Sequence, residues 1–160
     1  MLKLSKGAAL LLVLLLPVMA LAESPVLETT LPESAQLIEN VEFEDGDFIR
    51  TYRMEDGATV QMLRYGSFDM TLDDLAEGEW TGYTARETLN LSALDGYHAE
   101  GVHLITGETE HELNVYIVLV RVQEQTLIFQ TVLGRDADLT QVQEWLSDMR
   151  VVQESEAING

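Results

Sequence analysis

The stretch 111–122 constrains the fold of this chain more than any other. Apolar side chains near its centre occupy both alternating sets of strand positions: Leu113, Val115, Ile117 and Leu119 in one set, Tyr116, Val118 and Val120 in the other. Successive side chains of a strand point to opposite faces of its sheet. A strand that is apolar on both faces is buried between two covering layers. The sequence therefore predicts a layered domain around a central strand.

Further strands and a hairpin are predicted around this central strand. Three β-rich runs occupy 84–91, 97–105 and 126–132, and short turn segments separate them from one another and from 111–122. Asp56-Gly57 lies between two β-rich runs, 48–54 and 58–65, and is typical of a tight hairpin turn. Short connections between successive strands favour antiparallel pairing.

Two amphipathic helices complete the predicted α+β domain. Thr71 precedes acidic residues and an apolar stripe that includes Leu72, Leu75 and Trp80, which indicates a helix ending near Gly82 with Trp80 in the core. Asp138 stands three residues before Gln141, an arrangement typical of a capping box, at the start of a second helix over 139–149. We expect an antiparallel sheet with these helices packed on it.

The first 22 residues have the composition of a secretory signal peptide. Lys3 and Lys6 precede an apolar run of 12 residues, 8–19, and Ala20-Leu21-Ala22 follows it. The run is shorter than the roughly 20 residues that span a bilayer as a helix. We expect cleavage before Glu23 and no membrane insertion of the mature chain. The expected location is outside the cytoplasm, in the periplasm or, alternatively, the extracellular space.

The remaining boundaries follow from composition. Pro25, Pro32 and several glutamates make 23–40 an expected extended lead-in or linker. A single α+β domain is expected over 41–152, and 153–160 is expected to form a flexible tail. No cysteine is present, so the fold forms without disulfides.

The charge of the chain restricts its partners. Both lysines lie in the predicted signal peptide, which leaves seven arginines against 28 acidic residues, a formal charge of −21. Such a surface repels phosphate backbones, because binding to nucleic acid depends on cationic side chains. It favours cations and basic proteins instead. The expected partners are an envelope protein or a cation, and nucleic acid is excluded.

The order of these elements resembles the PsbP-like family of small exported proteins. The resemblance covers about 41–152 and includes the early hairpin, a helix, the strand-turn run 89–99, two long antiparallel strands and the amphipathic helix before Met149-Arg150-Val151. It implies an α/β/α sandwich and a binding or accessory role without catalysis. It carries no functional residue onto this sequence.

The three histidines suggest a metal site. If Gly107 lay at the centre of a hairpin turn, His103 and His111 would stand opposite each other, and Glu110 could supply a carboxylate. Imidazole and carboxylate ligands suit Zn²⁺, Cu²⁺ or Ni²⁺. Ordinary polar residues near a strand end would give the same pattern. The acidic run 42–47 could likewise provide oxygen ligands for Ca²⁺, or be a solvated turn.

Three functions remain open on the sequence alone. A non-catalytic binding or accessory protein of the bacterial envelope is favoured, because the chain has neither a thiol nor a recognisable nucleophile motif and no cofactor is indicated. A metal-binding protein using His103, His111 and nearby carboxylates is the first alternative. A hydrolase that uses two carboxylates is the second. An apolar patch beside the sheet edge would favour the binding protein.

Overall fold

The computed structural model describes residues 24–66, 69–108 and 110–154. The predicted signal peptide lies outside the described residues, as do positions 155–160 of the predicted tail. The elements are β1 (Ser24–Glu28), β2 (Gln36–Glu42), β3 (Phe48–Arg53), β4 (Thr59–Tyr65), α1 (Leu72–Glu79), β5 (Ala85–Thr88), a 3₁₀ turn (Ser92–Leu94), β6 (His98–Thr106), β7 (Leu113–Val122), β8 (Gln125–Gly134), α2 (Thr140–Asp148) and β9 (Arg150–Glu154).

Seven strands form one antiparallel sheet in the order β2-β3-β4-β8-β7-β6-β5. The first and last strands, β1 and β9, pair separately as an antiparallel two-stranded sheet. The predicted α+β class with mainly antiparallel pairing is therefore confirmed. Strand β7 lies inside the large sheet between β6 and β8, as its apolar sequence requires.

The large sheet has a buried cluster on each face. On one face, α1 covers a cluster that includes Val115, Ile117 and Leu119 of β7. On the other face, α2 and the β1–β9 pair cover Tyr116, Val118 and Val120. Burial of both alternating sets explains why this strand carries so few polar side chains. We refer to the two sides below as the α1 face and the α2 face.

The local turn and cap signals are confirmed at two of three positions. Gly57 adopts φ +86° in the hairpin between β3 and β4, and Asp56 Oδ1 accepts the Ala58 N–H at 2.9 Å. Thr71 and Asp74 form the capping box of α1. The predicted capping box of α2 is wrong, since the helix begins after Leu139 without a side-chain cap. Asp138 instead accepts the N–H of Thr140.

The segment 23–40, for which the sequence predicts an extended lead-in or linker, contains β1 and most of β2. Val26 and Leu27 of β1 are buried in the core on the α2 face. Strand β2 pairs with β3 at the edge of the large sheet. Among the described residues, the folded unit thus begins at Ser24 rather than at 41. The predicted tail also begins later, because Gln153 and Glu154 belong to β9.

The helices are short. They span 8 and 9 residues, and no helix of the described part of the chain combines the length and apolar character needed to cross a bilayer.

Candidate functional site

The structure places His103 in β6, on the α2 face and at the margin of the core. Its Nε2 lies 2.9 Å from Oδ1 of Asn114, and its Nδ1 lies 3.7 Å from a carboxylate oxygen of Glu87. Its ring stacks on that of Tyr116. A hydrogen bond at Nε2 and the stacked ring of Tyr116 therefore hold this imidazole within the sheet.

His111 does not stand opposite His103, and the predicted cross-strand pairing is wrong. The register joins His103 to Tyr116 and Thr106 to Leu113, so the described residues between them, 107–108 and 110–112, belong to the connection from β6 to β7. Gly107 is the first residue of this loop rather than its centre. This register also pairs Leu104 with Val115 on the buried α1 face.

The predicted metal ligands are consequently separated into two surroundings. Glu110 and His111 line an open cavity of about 760 Å³ at the end of the sheet, together with Asp56 and Asp136. His103 is not among the residues that line it. Within residues 24–66, 69–108 and 110–154, no group of three or more histidine, aspartate and glutamate side chains is placed to hold a metal ion.

The acidic run 42–47 forms the turn between β2 and β3. The Phe43 N–H donates to the Asp47 carbonyl at 2.9 Å, and Gly46 adopts φ +87°. Nε of Arg64 donates to the Gly46 carbonyl at 2.9 Å, and Asp45 Oδ1 accepts the Asp47 N–H at 3.2 Å. The run is thus a turn held by backbone and arginine contacts.

An apolar patch lies beside this turn, at the edge of the large sheet. Every residue of β2 is exposed, and the large apolar side chains there are among the most exposed in the described part of the chain. The exposed fractions are 51% for Leu37, 45% for Ile38, 37% for Val41 and 47% for Phe43. We call these four residues the β2 patch. Val41 and Phe43 share one face of this edge, and Leu37, opposite Tyr52, lies on the other. Exposed apolar side chains grouped along one segment mark interaction surfaces more often than isolated ones do.

Phe48 and Arg64 anchor the turn that follows β2. The ring of Phe48 in β3 is buried between two guanidinium groups, with its centroid 4.2 Å from Cζ of Arg50 and 4.8 Å from Cζ of Arg64. Arg64 is itself buried and bonds to backbone carbonyls of Pro25 and Gly46. Stacked cations and satisfied carbonyls hold the turn beside Phe43 in place.

The surroundings of the β2 patch are acidic. Glu39, Glu42, Glu44 and Asp45 are exposed within the same ten residues, 36–45, and this stretch contains no lysine or arginine. Arg50 lies 3.8 Å from Glu42 and 3.4 Å from Glu154, so its charge is shared between two carboxylates. At the end of β4, burial, assisted by Glu79 and Asp47, raises the pKa of Tyr65.

Comparison with known proteins shows a likeness in structure but none in sequence family. No known protein family matches this chain, and no curated protein sequence matches it. The fold is similar to that in the crystal structure of LpqN, a protein involved in cell envelope biogenesis of Mycobacterium tuberculosis. The TM-score is 0.48 with 14% sequence identity over 81% of this chain and 85% of that one. Similarity of this degree transfers no function.

The β2 patch was not predicted from the sequence. The signal was nevertheless present, since Leu37, Ile38, Val41 and Phe43 lie close together in a segment otherwise rich in acidic residues. Their spacing matches neither a clean period of two nor a helical stripe, because Ile38 occupies an irregularity in the β2–β3 register between Leu37 and Glu39.

Proposed function

We propose that this protein is a non-catalytic accessory protein of the bacterial envelope, exported by its signal peptide, which binds a protein partner through the β2 patch. We also propose that it is a divergent relative of the PsbP-like family, on the order of its sequence elements. Export is supported by Lys3 and Lys6, the apolar run after them and Ala20-Leu21-Ala22.

The observation that carries the proposal is the exposure of three large apolar side chains on an edge strand and of Phe43 directly after it. Full burial of a side chain such as Val41 or Phe43 contributes about 1.5–3 kcal/mol. Burial of the β2 patch by a partner would therefore supply a substantial part of the binding free energy of a micromolar complex, before polar contacts are added.

The opposite edge of the sheet differs. Strand β5 spans only four residues, Ala85–Thr88, and Arg86 within it forms an ion pair with Asp73. Short, charged edges are typical of strands that are protected against association. The contrast between the two edges assigns the proposed interaction to β2.

The test compares partner capture by three forms of the mature chain. Val41→Ser together with Phe43→Ser removes apolar surface at the β2 patch without changing charge. Tyr97→Ser is the matched control, because Tyr97 is 44% exposed but follows the 3₁₀ turn, outside the β2 patch. Each tagged form is expressed in the native host, cross-linked, and analysed by quantitative mass spectrometry of the exported fraction.

We expect the wild-type and Tyr97→Ser forms to recover the same partner and the double variant to recover at least about tenfold less, in line with the loss of roughly 1.4 kcal/mol or more. Unchanged melting temperatures establish that all three forms fold. Equal recovery by all three forms would contradict the proposal.

A further inference from the structure

We infer that the partner contributes an extended, basic polypeptide segment, which adds to β2 as an eighth strand of the large sheet. This inference rests on the proposed function, since it specifies what the β2 patch binds and how. Strand addition at an exposed sheet edge draws affinity from backbone hydrogen bonds and specificity from alternate side chains.

The backbone of β2 offers free hydrogen-bonding groups on its outer side. In an antiparallel pair, residues that bond to the neighbouring strand alternate with residues that do not. The Phe43 N–H donates to Asp47, so the continuous register Glu39↔Thr51 to Glu42↔Phe48 turns the backbone groups of Glu39 and Val41 toward β3. Those of Asn40 and Glu42 point away from the sheet, where a new strand would pair.

The register also sets the extent of the added strand. Between Leu37 and Glu39 the pairing of β2 with β3 shifts by one residue at Ile38. Such an irregularity interrupts the ladder and twists the edge away from a straight partner. Regular pairing is therefore available over 39–43, which includes Val41 and Phe43 of the β2 patch and excludes its first two residues from the ladder.

The side chains of β2 indicate which residue types the added strand should contain. Val41 is opposite Ile49 and shares its face with Phe43, so apolar side chains of the added strand would lie beside these two. Glu42 and Asn40 occupy the other face, opposite Phe48 and Arg50. The segment would carry apolar residues beside Val41 and Phe43 and, on the other face, a residue beside the carboxylate of Glu42.

The charge of the edge favours lysine or arginine on that face. Four exposed carboxylates lie within 36–45, and the neighbouring Arg50 divides its charge between Glu42 and Glu154. A second copy of this chain, with its formal charge of −19, would bring like charge to like charge. A basic segment is attracted instead, and this attraction speeds encounter as well as selecting the partner.

Synthetic peptides test the inference on the mature chain. The probe is a short peptide in which valine and lysine alternate. One matched peptide has glutamate in place of every lysine, and another is the lysine peptide with alternate backbone amides N-methylated. Affinity is measured by calorimetry, and backbone amide exchange of Asn40, Glu42 and Thr88 is followed by NMR.

We expect the lysine peptide to bind, its binding to weaken as salt is raised, and exchange to slow at Asn40 and Glu42 but not at Thr88, whose N–H points outward from the β5 edge. The glutamate and N-methylated peptides should each bind at least about tenfold more weakly. Equal binding of the glutamate peptide would overturn the basic character of the segment. Equal binding of the N-methylated peptide, or no binding of the lysine peptide, would overturn strand addition.

A pair of protein variants tests strand addition by changing β2 instead of the peptide. Asn40→Pro removes an outward N–H and leaves the groups that pair with β3 in place, whereas Asn40→Ala keeps that N–H. We expect the lysine peptide to bind the alanine variant and not the proline variant. If the lysine peptide does not bind while Val41→Ser/Phe43→Ser still loses its cross-linked partner, the proposed function stands and this inference fails. If that double variant keeps its partner, both fail.

Discussion

The imidazole of His103 lies parallel to the ring of Tyr116, with the ring centroids 4.2 Å apart and the planes 4° from parallel. The pair joins β6 to β7 on the α2 face. Asn114, on the same face, holds the imidazole from the side. His103, Asn114 and Tyr116 thus form a small polar and aromatic cluster in a sheet whose other side-chain contacts are largely apolar.

Replacement of this imidazole should destabilise the fold. His103→Ala removes the stacked ring and leaves Oδ1 of Asn114 without its partner, and we expect the free energy of unfolding to fall by about 1–3 kcal/mol in urea denaturation. His111→Ala is the control, because His111 is exposed in the loop and should change it by less than about 0.5 kcal/mol. Equal losses would contradict the structural role of His103.

Stability should fall at alkaline pH because of Tyr116. Burial, with a smaller effect of Glu87, raises the pKa of this phenol above its ordinary value of 10.0. Above pH 10.0 the unfolded chain loses this proton while the folded chain keeps it, so stability is complete below that pH and declines as pH rises. Tyr116→Phe should decline less steeply in urea titrations between neutral and alkaline pH. The exposed Tyr97→Phe should match the wild type.

The capping box of α1 should couple helix stability to the pKa of Asp74. The hydroxyl and N–H of Thr71 lower this pKa below its ordinary value of 3.8. Stability from the lowered pKa is present above 3.8 and is lost as pH falls through the folded-state value. Thr71→Ala should raise the pKa of Asp74 in an NMR titration and lower unfolding free energy by about 1 kcal/mol. Thr71→Ser should preserve both, and a Thr71→Ala variant with unchanged pKa would contradict the role of the hydroxyl.

The first residue of the β6–β7 loop should tolerate no side chain. A Cβ added to Gly107, where φ is +99°, would lie 2.5 Å from the backbone oxygen of His111. Gly57 has a comparable φ of +86° but no neighbouring atom within 4 Å of such a Cβ. Both alanine variants bear the conformational cost, and Gly107→Ala should lower the melting temperature further because of the clash. Similar melting temperatures would show that the loop can rearrange.

Features specified by neighbouring residues were predictable from the sequence. Asp56-Gly57 forms its turn through contacts within a few residues, and Thr71 caps α1 through Asp74, three positions away. The two-sided burial of β7 also follows from its own side chains. In each case the signal and the structure that it produces occupy the same short stretch.

Features that depend on distant strands were not predictable in the same way. His103 pairs with Tyr116 in a register that extends over all nine residues of β6, and Gly107 does not mark its centre. Strand β1 is recognisable only through its partner β9 at the other end of the chain. The β2 patch was missed for a related reason, since edge exposure depends on where β3 places the strand.

The pairing of β1 with β9 makes the fold sensitive to the order in which the chain becomes available. Ser24 pairs with Glu154 and Glu28 with Arg150, so one layer of the molecule is built from its two ends. A chain that leaves a ribosome or a translocation channel with its N-terminus first cannot complete this layer until the last strand has emerged. Val26 and Leu27 stay exposed until β9 has been synthesised. Loss of β9 would remove the strand that pairs with β1. The β1–β9 pair therefore forms only after residues 150–154 have been made.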